Sequence, residues 1–163
     1  MRRTLLLIIL LVSGCVGSVH NVPEQYRPLE RVQGSPLRSN SAITTIGRTA
    51  YVNDLGEWLT AHPPGSPKYH ALLLHEREHT LRQEAYGLRA WLVQYLADTD
   101  FMWAEERVGW YAQIQAYRKA GLTVNPEGIA KLLSSYRNIA GRMVAYEDAL
   151  AWVRDVLSGR WQP

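Results

Sequence analysis

The spacing of apolar residues changes several times along this chain, and each change marks a boundary. Leu5 to Val12 form an unbroken apolar run of eight, preceded by Arg2 and Arg3. That run is too short to span a bilayer and has the shape of a secretory leader. Residues 16–40 hold no helical or strand period. Pro23, Pro28 and Pro36 interrupt them, with Gly34, Ser35, Ser39 and Asn40 near the end. This composition predicts a tether, packed in part on the surface. Residues 42–52 are rich in β-branched side chains. They predict a small hairpin turning at Gly47-Arg48, or one longer strand bulged at Gly47. Asn53-Asp54-Leu55-Gly56 ends that stretch, and residues 60–67, with Pro63, Pro64, Gly65 and Pro67, are a firm break.

Helical patterns fill the rest. From about 68 to 97 the residues are mostly good helix formers without proline. Gly87 stands in the middle at a cost of about 1 kcal/mol relative to alanine, which suggests a close packing contact there. Asp98, Thr99 and Asp100 offer caps for a second helix over 100–119, which stops at Gly121. Asn125 and Pro126 suit the start of a third over 126–138, and Gly141 punctuates it. A fourth runs over 142–157, with Ala145, Ala149, Trp152, Val153 and Val156 at helical spacing and Gly159 at its end. The pattern therefore predicts an α+β domain, mostly α. A short hairpin or strand pair precedes about four helices, and the domain spans residues 41–163.

Composition adds bounds. Val12-Ser13-Gly14-Cys15 resembles the lipobox of bacterial lipoproteins, in which the cysteine takes lipid and becomes the mature N-terminus. That resemblance implies a signal peptide over 1–14, then lipidated Cys15 and a tether over 15–40. It implies an exported protein held at the cell envelope, its membrane contact made through the lipid on Cys15. Val16 rather than an aspartate follows the cysteine, which leans toward the outer membrane where the host has one. Loss of the leader removes Arg2 and Arg3 and no acid, so the net charge of +3 drops to +1. No clustered basic stripe argues for nucleic acid. Cys15 is the only cysteine, so a metal site in the domain must use His, Asp or Glu.

His75-Glu76-Arg77-Glu78-His79 carries the chemistry. Residues four apart share a helix face, so His75 and His79 are spaced to hold one Zn²⁺. Glu76 then projects beside the metal, where a carboxylate can take a proton from water. Catalytic zinc sites use three protein ligands, and no histidine follows His79. Glu105 and Glu106, on the next helix, are candidate third ligands. Helix geometry leaves the two open. Arg77, Arg82 and Arg89 read as solvated, with Arg82 spaced to pair with Glu78.

Taken with Gln83 and the run Glu106-Arg107-Val108-Gly109-Trp110, the chain resembles small gluzincin-type zinc metallopeptidases over residues 42–113. Such domains show a strand pair, then HExxHxxxQ, then a helix with an ExxAY-like pattern. The resemblance implies Glu106 as the third ligand, with Glu105 as the alternative, and one Zn²⁺ per chain. It also implies hydrolysis of a peptide or protein substrate with Glu76 as the catalytic base. Tyr136 and Arg137, with His62 and His70, are candidate donors to the developing oxyanion. The strand at 42–52 is positioned to align an extended peptide by edge pairing. A second class is also consistent with the sequence: an envelope lipoprotein whose zinc is structural or whose site is degenerate, acting as an accessory or interaction protein.

Overall fold

A computed structural model of the chain describes residues 18–35 and 43–163. The leader and Cys15 lie outside the described residues. Four strands come first: β1 (Val19–Asn21), β2 (Arg31–Gly34), β3 (Ile43–Ile46) and β4 (Thr49–Val52), in the sheet order β1-β2-β4-β3. β3 and β4 are antiparallel and joined by Gly47-Arg48, with Gly47 at φ 58°. Glycine at the first central position of a two-residue turn suits the twist of a hairpin. The hairpin, not the bulged strand, is the outcome. β2 runs parallel to β4, and β1 antiparallel to β2.

The first two strands correct the tether expectation. Residues 18–35 belong to the fold and bury Val22, Tyr26, Leu29 and Val32. Strands of three and four residues are too short to display a period. The prolines sit outside them, Pro23 and Pro28 flanking a 3₁₀ turn over Glu24–Tyr26.

Six helices follow. α1 (Leu55–Ala61) was not anticipated; Asp54 ends the strand and also caps this helix, accepting from the Glu57 N–H at 2.8 Å. α2 (Pro67–Tyr86) starts at the cap Ser66. It stops at Gly87, whose φ of 86° breaks the expected 68–97 helix and lets α3 (Leu88–Ala97) set off anew. No side chain crowds Gly87, so that glycine is a joint and not a packing contact. Asp98 caps α4 (Thr99–Lys119) and Asn125 caps α5 (Pro126–Leu133). α5 is shorter than expected. Residues 137–142 instead make a small hairpin, β5 (Arg137–Asn138) with β6 (Gly141–Arg142), before α6 (Tyr146–Ser158).

Two apolar cores result. One lies between the sheet, α1 and the start of α2, around Leu29, Val32, Ala50 and Leu73. The other joins α4, α5 and α6 around Ile114, Leu133, Val153 and Val156. Where α2 faces α4 the buried residues are polar: His75, Glu76, His79, Thr80 and Gln83 from one helix, Glu105, Glu106 and Gln113 from the other.

Candidate metal centre

His75 and His79 stand one turn apart on α2 and converge with Glu106 of α4. The two Nε2 atoms are 3.0 Å apart. His75 Nε2 is 3.7 Å from Glu106 Oε2, and His79 Nε2 is 3.4 Å from Glu106 Oε1. Ligands held tetrahedrally at about 2.0–2.2 Å from an ion lie roughly 3.3–3.6 Å from one another. The buried group thus has the atoms and spacing to hold a metal ion.

Neighbouring groups aim these side chains. His75 Nδ1 lies 2.9 Å from Gln113 Oε1, an acceptor, so Nδ1 carries the proton and Nε2 keeps a lone pair for the centre. The Gln113 amide in turn donates to the Tyr117 hydroxyl at 2.9 Å. Gly109 makes room for the ring: a Cβ there would lie 2.6 Å from His75 Cδ2. The Tyr95 hydroxyl donates to Glu106 Oε1, and Trp91 stacks on Tyr95 with centroids 4.5 Å apart.

Charge sets the protonation. Burial pushes the His75 imidazole down, against the pull of Glu76 and Glu106. Burial also disfavours the His79 cation, but the hydrogen bond and charge of Glu106 outweigh it and raise His79 to about 9. Burial likewise opposes the Glu106 carboxylate, and His79 more than offsets that, leaving Glu106 below its ordinary range.

The adjacent glutamates differ. Glu105 is gripped side-on by Arg82, with Nε donating to Oε2 at 2.6 Å and Nη2 to Oε1, and Trp91 Nε1 adds a third bond at 2.8 Å. Its oxygens are engaged away from the histidines. Arg82 therefore pairs with Glu105 and not Glu78, which takes Arg77 at 3.0 Å. Glu76 is buried and accepts from the Thr45 hydroxyl of β3 at 2.6 Å. Gln83 clamps that strand to α2, donating to the Thr45 carbonyl at 2.9 Å and accepting from Gly47 N–H at 2.7 Å.

The candidate donors separate as well. Burial, then the charges of Glu106 and Glu76, hold the half-buried Tyr136 phenol well above its ordinary range, so it keeps its proton. Arg137 is exposed on β5. His70 bonds Tyr26 and His62 bonds the Trp58 carbonyl, so both partly buried histidines are engaged beside the sheet-side core. The sequence reading missed Thr45, Tyr95 and Gln113. Only Gln113 left a signal, since it lies two turns beyond Glu106 on one face of α4.

Compared with protein-family models, curated proteins and solved structures, the chain matches none.

Proposed function

We propose that the chain is a zinc-dependent peptide hydrolase attached to the cell envelope through lipid on Cys15. Glu76 carries the proposal. It is a fourth buried side chain beside the three, it accepts from the neutral Thr45 hydroxyl, and no lysine or arginine pairs with it among the described residues. Burying a carboxylate without a cation is costly. Glu105 has Arg82 as its cation. In the metal-free protein the His79 cation is the positive charge beside the carboxylates of Glu76 and Glu106. A divalent ion between two neutral imidazoles would take its place and bring one more positive charge.

Bound there by His75, His79 and Glu106, zinc supplies Lewis acidity toward water and a scissile carbonyl. Glu76, fixed by Thr45, takes a proton from water and passes it to the leaving amine. Tyr136, protonated and within the field of Glu106 and Glu76, is the better placed oxyanion donor of the two sequence candidates. β3 forms one edge of the sheet and bears Thr45, which supports alignment of an extended peptide along it. Export and lipid attachment rest on the leader and Cys15.

One observation favours the second reading, a structural ion in an accessory lipoprotein. The three ligand side chains are at most 8% exposed, and the Tyr95 hydroxyl already occupies Glu106. A diverse peptide library offered to the zinc-loaded protein separates the two. Hydrolysis should occur with wild type and fall by roughly 10²–10⁴-fold in Glu76→Gln while zinc is retained. Retained zinc with no cleavage by wild type would favour the structural ion.

A further inference from the structure

Helix α3 has the composition of a buried helix and the exposure of a surface one. Arg89 and Gln94 are its only polar residues besides Tyr95, yet Trp91 alone is buried. Trp91 and Tyr95 face Glu105 and Glu106. The opposite face turns outward, with Val93 61% exposed, and Leu88 and Tyr86 beside it are exposed too. The β5–β6 hairpin is fastened to this helix. Asn138 Nδ2 donates to the Tyr95 carbonyl and the Ile139 N–H to the Leu96 carbonyl, both at 3.0 Å. Ile139, between the two strands, is 69% exposed.

The same segments carry cations. Arg89, Arg137 and Arg142 are exposed, and none makes an ion pair among the described residues. Neither residues 85–97 nor residues 128–146 contain an aspartate or glutamate. Several arginines elsewhere on the surface are paired with acids, as Arg48 with Glu30 and Glu84, Arg154 with Glu127, and Arg160 with Asp155, although exposed Arg118 is not. Exposed apolar side chains on segments that also carry unpaired cations suit a boundary where hydrocarbon meets anionic headgroups. At about 1.5 Å per residue α3 is far too short to cross a bilayer, and no helix among the described residues is long and apolar enough to do so.

We infer that α3 and the β5–β6 turn form a surface that lies on an anionic phospholipid membrane. Val93 and Ile139 enter the headgroup boundary, and Arg89, Arg137 and Arg142 meet lipid phosphates. This contact is separate from any lipid on Cys15 and does not depend on the metal or on hydrolysis. The absence of acid from both segments favours an anionic surface over an apolar protein face.

The chain's single cysteine makes the test position-specific. Full-length protein carrying Cys15→Ser with Val93→Cys, Ile139→Cys or Lys68→Cys is labelled with an environment-sensitive dye. Lys68 is exposed at the opposite end of α2 from Tyr86, roughly 27 Å along the helix axis. Adding vesicles of phosphatidylglycerol and phosphatidylcholine should blue-shift the dye at 93 and 139 and leave it unchanged at 68. Arg137→Gln and Arg142→Gln should each weaken the vesicle titration about fivefold. Silent labels at 93 and 139 would overturn the inference, as would equal shifts at all three positions. So would a shift without vesicles that grows with protein concentration, which would mark the surface as a contact between copies of the chain.

Discussion

Helix α4 has two buried faces that obey different rules. Toward α5 and α6 it meets an apolar core in which Ile114, Ala130, Leu133, Ala149, Val153 and Val156 are fully buried. Removal from water stabilises that face, and similar shapes are interchangeable at modest cost. Toward α2 it buries Glu105, Glu106 and Gln113 against His75, Glu76 and His79. There each group must be matched by a specific partner or it destabilises the fold. Most are: Arg82 and Trp91 serve Glu105, and Gln113 serves His75. The unmatched charge gathers at Glu76 and the triad. One face is therefore stable in itself, and the other gathers a buried group that could hold a metal ion.

Removing side chains from each face should expose that difference. Leu133→Ala cuts a fully buried side chain from the apolar core. We expect a loss of about 2–5 kcal/mol in denaturant unfolding, with metal stoichiometry unchanged. A parallel loss of metal would mean that the two faces are not independent. Gly109→Ala makes the reverse kind of change, because its new Cβ would meet the His75 ring. It should cost roughly 1–3 kcal/mol through overpacking. Displacement of the ligand should also weaken metal binding on the order of 10–100-fold in a chelator competition. Unaltered affinity would show that His75 is not held where α4 leaves room for it.

A smaller effect comes from pH. His79 in the metal-free protein is raised to about 9, so its protonation stabilises the fold fully below the unfolded value near 6.5. That contribution is lost as pH rises through about 9. Metal binding runs the opposite way, since an ion must displace the proton. Apparent affinity should fall about tenfold per pH unit below 9, while metal-free stability improves toward pH 6.5. Affinity independent of pH between 7 and 9, once buffer binding of the metal is corrected, would contradict the assigned charge on His79.

Local features were legible in the sequence. His75 and His79 could be paired from their spacing alone. The Gly47 turn and the caps Asp98 and Asn125 each follow from a few adjacent residues, and the structure places them as expected. Long-range matters were not legible. Both Glu105 and Glu106 are buried, and only the docking of Arg82 and Trp91 on one and Tyr95 on the other distinguishes them. Helix propensity ran across Gly87 because propensity does not encode its φ of 86°. Residues 18–35 looked like a tether because their strands are held by pairing with β4, which no local pattern announces.

Metal content tests the central claim most directly. Wild-type, Glu105→Gln and Glu106→Gln proteins are refolded with excess zinc, dialysed and measured side by side by atomic emission. We expect about one ion per chain in wild type and in Glu105→Gln, and loss in Glu106→Gln. Zinc retained in Glu106→Gln as in wild type, or a wild type that takes up none, would contradict the account.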